Sequence, residues 1–227
     1  MYTLVLLSGG TGSRMKNVIP KQYMLLAGRP VIMHILERVD MIDEIKDIVV
    51  VCSEEYKESI KLMCNQYGIT KSIRFAPAGK TRQLSVKSGL SLVDSDNVII
   101  HEAARPFVKI DDFKRLIEEK SENAMFGISI PFTVLRGHEK VEGLLERSEL
   151  INVQLPQKFN TKIIKESIEK AVADGREFTE DASMVFNYNP GIDIKICEGM
   201  DYNLKLTTRM DIVVGEIIYD DYFRMRK

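Results

Sequence analysis

The residues best suited by type and spacing to do chemistry form the block Ser8-Gly9-Gly10-Thr11-Gly12-Ser13-Arg14-Met15, with Pro20-Lys21-Gln22 close behind it. Glycines let backbone N–H groups approach an anion closely. Arg14 and Lys21 add two fixed cations, so the block reads as a phosphate loop. It is not a P-loop, because no Gly-Lys-Ser/Thr closes it at the required spacing, and Gly79-Lys80-Thr81 lacks the opening glycine. It is a poor dinucleotide fingerprint too, since Met15 stands where a small residue normally lets helix and strand pack closely. A second candidate, Gly79-Lys80-Thr81-Arg82-x-x-Ser85-Val86, opens a helix, and a helix N-terminus favours anions.

Apolar runs at Tyr2–Leu7, Ile48–Cys52, Val98–Ile100 and Phe126–Ile130 are rich in Val and Ile and lack clean alternation, which suits strands buried on both faces. Between them, Val31, Ile32, Ile35, Leu36 and Val39 share one helical face, as do Ile110, Phe113, Leu116 and Ile117. Strand and helix therefore alternate. That order predicts an α/β domain with a mixed, mostly parallel sheet between helices, whose ligands bind at the carboxyl ends of the strands. Thr161–Ala173 carries another helical face, a strand is expected over Ile192–Ile196, and a last helix runs from about Thr208. The charge-rich segment 132–153, centred on Glu142-Gly143, breaks the rhythm and reads as a projecting hairpin or arm inserted in a single domain, 1–227.

Thirty-two basic and thirty-three acidic side chains leave a net charge of −1, so bulk attraction to nucleic acid or an anionic membrane is not expected. No apolar run reaches the roughly 18–20 residues that span a bilayer. Cys52, Cys64 and Cys197 are odd in number and widely spaced, which suggests neither a disulfide framework nor a zinc knuckle, and no metal-ligating set is assigned. A reducing cytoplasm is the expected compartment.

The two glycine blocks, taken with His101-Glu102-Ala103-Ala104-Arg105-Pro106-Phe107, Pro156-Gln157, Thr179-Glu180-Asp181-Ala182-Ser183 and Asn203-Leu204-Lys205-Leu206-Thr207, resemble the signature of cytidylyltransferases that make CDP-linked polyols. These are the methylerythritol-phosphate and ribitol-phosphate enzymes, and the resemblance spans nearly the whole chain in order. It implies a GT-A-like (Rossmann-like) nucleotidyltransferase fold with a dimerisation arm, and a reaction of CTP with a polyol phosphate to give a CDP-polyol and pyrophosphate. Mg²⁺ is implied as cofactor because it bridges phosphates, and a homodimer as the assembly.

By the same resemblance, Arg14 and Lys21 bind and activate the triphosphate, with Lys205 as a third catalytic residue contacting acceptor phosphate. Ser8, Gly9, Gly10, Thr11, Gly12, Gly79, Arg82 and Ser85 hold the nucleotide, and Glu102, Arg105 and, from the arm, Arg147 meet the acceptor. His101 receives no catalytic role, because a phosphate nucleophile is already ionised at neutral pH. Alternation over residues 203–207 also fits an edge strand with Lys205 in solvent. Two departures stand out. Glu102 replaces the family's aspartate, and Leu135 and Leu155 stand where both branches carry threonines that help hold the acceptor phosphate. Leucines cannot donate a hydrogen bond, so the expected acceptor is ribitol 5-phosphate or a related polyol phosphate of surface polysaccharide. Methylerythritol 4-phosphate of isoprenoid synthesis is the alternative, and a catalytically silent nucleotide-binding regulator is the reading outside enzymes.

Overall fold

The computed structural model describes residues 1–10 and 20–224. Its elements run β1 (Tyr2–Leu7), β2 (Leu25–Leu26), β3 (Arg29–Pro30), α1 (Val31–Asp40), β4 (Ile45–Cys52), α2 (Glu54–Gln66), β5 (Ser72–Pro77), α3 (Arg82–Leu90), β6 (Asn97–Glu102), α4 (Ile110–Glu118), β7 (Ala124–Ser129), β8 (Leu135–Gly137), β9 (Val141–Leu144), β10 (Ile151–Asn160), α5 (Thr161–Ala173), α6 (Asp181–Tyr188), β11 (Lys195–Glu198) and α7 (Arg209–Tyr222). Seven strands form one sheet in the order β11-β7-β10-β6-β1-β4-β5. β10 runs antiparallel to both β6 and β7, and the other neighbours are parallel.

The central strands explain their own composition. Leu4 and Leu6 of β1 pack with Ile32, Ile35 and Leu36 of α1 and with Phe113 and Leu116 of α4 on one face. Val5, one residue out of phase, packs with Val86 and Leu90 of α3 and Ile164 and Ile168 of α5 on the other. Both faces of β1 are thus covered by helices, which favours apolar residues at either phase, and the buried Thr3 is matched by Ser95, whose hydroxyl donates to Thr3 Oγ1 at 2.8 Å. A smaller cluster of Leu26, Val31, Phe107 and Leu206 lies under α7. Lys158 of β10 is almost fully buried, and its amine donates to the carbonyls of Ile117 and Glu119 at the end of α4. A cation among the last carbonyls of a helix is favourably placed.

β6 pairs with β1 so that Leu7 stands opposite Glu102, and Ser8 N–H donates to Val51 O of β4 at 2.7 Å. The carboxyl ends of these strands therefore share one edge of the sheet, where the sequence places its glycine and charged blocks.

The structure corrects four local expectations. The strand foreseen at Ile192–Ile196 begins only at Lys195, because Ile192 and Ile194 pack beneath α5 and α6 while pairing with β7 starts at Lys195 opposite Ala124. The arm is a β8–β9 hairpin whose turn follows Gly137, at φ +141°, rather than centring on Glu142-Gly143. A side chain at residue 137 would put its Cβ 2.0 Å from Lys140 O. The end of the foreseen arm, Ile151–Val153, belongs to β10 in the main sheet. Residues 203–207 form no strand: Leu206 N–H donates to Ala104 O at 2.8 Å, which ties this segment to the loop after β6.

Candidate active site

A cavity of about 330 Å³ opens at the carboxyl edge of the sheet. Its described wall takes Leu7, Ser8, Gly9 and Gly10 from the end of β1, Lys21 and Gln22 from the next segment, Gly79–Arg82 and Ser85 from the start of α3, Glu102 and Ala104 from the end of β6, and Lys205. Four cationic side chains face one carboxylate there, which favours a polyanion.

Local bonding fixes both glycine turns. The Gln22 amide, 3 % exposed, donates to Ser8 O at 2.7 Å and to Gly10 O at 2.9 Å, stapling the first turn from behind. The Tyr23 hydroxyl sits 3.1 Å from Ser8 Oγ, and burial is the main cause that pushes its pKa up to about 12. In the second turn the Gly79 N–H donates to Ser85 Oγ at 3.0 Å, and Thr81 caps α3 by accepting from Leu84 N–H. A Cβ on Gly79 would lie 2.6 Å from Leu84 Cβ and 2.8 Å from Ser85 N. A Cβ on Gly9 would lie 2.3 Å from Ala78 Cβ. The two turns can come this close only as glycines.

A line of alternating charge crosses the wall. Asp181, 2 % exposed, receives Arg82 Nη1 at 2.8 Å and Nη2 at 2.6 Å. Arg82 Nε donates to Glu102 Oε1 at 3.0 Å, and Lys205 Nζ lies 2.6 Å from Glu102 Oε2. Burial by itself would raise the pKa of Glu102, but Lys205 and Arg82 outweigh it and pull it down to about 2. Burial likewise opposes the charge on Arg82, and Asp181 and Glu102 more than offset it, raising its pKa. Both groups are therefore ionised at neutral pH.

Of the residues expected at the site, Ser8, Gly9, Gly10, Lys21, Gly79, Arg82, Ser85, Glu102 and Lys205 come together on this wall. Thr11, Gly12 and Arg14 lie outside the described residues. The Ser85 hydroxyl is engaged by Gly79 N–H and Thr81 O, so it shapes the turn. Arg105 is not among the wall residues: its Nη1 donates to Asn203 O at 3.0 Å and so secures the segment carrying Lys205. Arg147 sits out on the arm, donating to Pro131 O. His101 is fully buried, with Nε2 3.0 Å from Arg105 O, a structural position. Leu155 is also buried and Leu135 stands exposed on β8, so neither lines the cavity within this chain. Gln22 and Asp181 emerge as site-forming residues that the sequence reading left without a role.

A profile of the 2-C-methyl-D-erythritol 4-phosphate cytidylyltransferase family matches residues 2–221. The chain is similar to the chloroplastic enzyme of that name from Oryza sativa, at 34 % identity over 96 % of this chain and 74 % of the relative. It is similar also to the one from Geobacillus thermodenitrificans, at 35 % identity over 96 % of each. Among solved structures, the 4-diphosphocytidyl-2C-methyl-D-erythritol synthase of Anaerococcus prevotii superposes with a TM-score of 0.85 over 96 % of each chain, at 26 % identity.

Proposed function

Since the chain belongs to the 2-C-methyl-D-erythritol 4-phosphate cytidylyltransferase family, we propose that it is the enzyme that transfers CMP from CTP to methylerythritol 4-phosphate in isoprenoid synthesis. It is a CTP-dependent nucleotidyltransferase. An oxygen of the acceptor phosphate attacks the α-phosphorus of CTP, the bond from that phosphorus to the bridging oxygen breaks, and pyrophosphate leaves. The observation that carries this reading is the cavity wall, where two close-packed glycine turns meet Lys21, Arg82 and Lys205 at the carboxyl edge of a mostly parallel sheet. Backbone N–H groups of the turns and the N-terminus of α3 hold the nucleotide, and Lys21 offsets charge growing at the α-phosphorus. Lys205 takes the acceptor phosphate.

The family relatives support methylerythritol 4-phosphate over the ribitol 5-phosphate reading drawn from Leu135 and Leu155. Those leucines lie off the cavity wall, so loss of hydroxyls there says little about the acceptor within one chain. Among the described residues no cluster of three or more Asp, Glu, His or Cys could hold a metal, and Glu102 is already committed to two cations. The described residues do not fit a protein-held Mg²⁺; we propose that Mg²⁺ arrives on the triphosphate, and no step above is routed through it.

A homodimer through the arm is part of the proposal, supported by the exposure of Phe132, Leu135, Val141 and Leu144. A cytoplasmic setting is supported by three unpaired cysteines and by the absence, among the described residues, of any helix long and apolar enough to cross a membrane. Pyrophosphate release with CTP and a panel of polyol phosphates tests the assignment: methylerythritol 4-phosphate is expected to give the highest kcat/KM. A higher value for ribitol 5-phosphate would overturn it.

A further inference from the structure

We propose that Asp181 is a positioning residue of this site: by holding both terminal nitrogens of Arg82 it limits Arg82 to a single bond with Glu102, and so leaves the second carboxylate oxygen of Glu102 to hold Lys205. Asp181 is not among the residues of the cavity wall. It begins α6, where a carboxylate could serve merely as a cap. That task is taken by its neighbour Glu180, whose side chain accepts from Ala182 N–H and Ser183 N–H at 2.8 and 2.6 Å. The Asp181 carboxylate instead receives the Nη1 and Nη2 edge of Arg82.

A guanidinium presents its N–H groups in fixed forks and prefers to engage a carboxylate through two of them. With one fork on Asp181, only Nε reaches Glu102, on Oε1, and Oε2 faces Lys205. Two carboxylates then match two cations in a line. Without the charge of Asp181, Arg82 is free to turn a whole fork onto Glu102, and one carboxylate must serve two cations. Lys205 loses its fixed place, and a misplacement of about 1 Å in a phosphate-binding group can cost as much as 10²-fold. Charge alone predicts the opposite sign, since removing a buried carboxylate makes the cavity more positive and should tighten both anionic substrates.

The inference rests on the reading that Lys205 meets the acceptor phosphate. The test is a double-mutant cycle in the full chain with Asp181→Asn, Arg82→Lys and both, measuring KM for CTP and for methylerythritol 4-phosphate separately, with a crystal structure of Asp181→Asn. Asp181→Asn is expected to raise the acceptor KM by about tenfold while the CTP KM stays within about twofold. In the Arg82→Lys background it should add little. In its structure Arg82 should contact both oxygens of Glu102, and Lys205 Nζ should have moved away. Should that variant not fold, Asp181→Glu, which keeps the charge but displaces it, is expected to raise the acceptor KM alone to a lesser degree. Equal changes in both KM values, full additivity with Arg82→Lys, or an unmoved Lys205 would each overturn the proposal. Failure of the parent chain on methylerythritol 4-phosphate would instead strike the proposed function, and the crystal structure would still decide the role of Asp181.

Discussion

Arg82 is the side chain on which the charge balance of the cavity wall turns, because Asp181 and Glu102 both depend on it. Arg82→Ala would strand Asp181, 2 % exposed, without its ion pair. Breaking a buried pair by removing one partner costs about 3–5 kcal/mol, so Tm should fall on the order of 10 °C for a chain this size. A fall below about 2 °C would show the ladder to be energetically idle. Lys21 carries a different burden in the proposed reaction, where its charge would be needed most at the pentavalent phosphorus. Lys21→Ala should lower kcat by about 10²–10³ and weaken CTP binding far less. Turnover within about threefold of the parent would remove that role. His34 and His101 set the acid limit. Burial is the main cause that pushes each ring down to about 4, whereas an unfolded histidine titrates near 6.5. As pH falls below 6.5 the unfolded chain takes up protons first. The stabilisation is therefore complete above pH 6.5 and is lost progressively down to about 4. Between pH 6.5 and 5 each should withdraw on the order of 2 kcal/mol. Melting curves of His34→Gln/His101→Gln should be flatter across that window, and an unchanged slope would count against both.

The turn from β5 into α3 shows how an element is built around a missing side chain. Gly79→Ala places a Cβ against Leu84 and Ser85 inside the first turn of α3, so the turn must shift and the backbone donors of residues 79–82 with it. A CTP KM raised by about tenfold or more is expected, with circular dichroism of the fold preserved. Unchanged CTP affinity would detach this turn from the nucleotide. The same scale explains what the sequence disclosed. Thr161–Ala173 is found with the bounds expected, because its apolar spacing coincides with the side-chain cap of Asn160 on Lys162 N–H and Ile163 N–H. The buried runs of β1, β4 and β6 were equally legible, since strands covered on two sides leave no room for polar alternation. β11 was legible only in part, as a strand over Ile192–Ile196, because an edge strand that is mostly exposed carries no buried run to fix its bounds. Gln22 and Asp181 stood in quoted motifs but received no role for a different reason: one bonds backbone carbonyls and the other bonds Arg82, far away in sequence, and no local spacing encodes either contact. Arg105 and Glu102 stood out by the family resemblance, while their partners Asn203 and Lys205 lie on a C-terminal segment whose path only the fold reveals.

In the whole molecule the arm is where the proposed dimer would cover exposed apolar side chains. Phe132 is 74 % exposed, Val141 68 % and Leu144 70 %, and an isolated two-stranded hairpin is marginal in water. Deleting residues 137–147 should convert a dimer to a monomer by light scattering and lower activity. A dimer of undiminished mass and full activity would separate the arm from both. The segment after β11 has an equally global task. Asn203 accepts from Arg105 and donates to Leu155 O, Leu206 docks on Ala104 O and in the cluster under α7, and Lys205 between them reaches Glu102. A polypeptide emerges from the ribosome N-terminus first, so the glycine turns and Glu102 exist before the lysine that completes their wall. The residues of this wall are therefore synthesised in two instalments, and the lysine comes with the segment that seals the small core beneath α7.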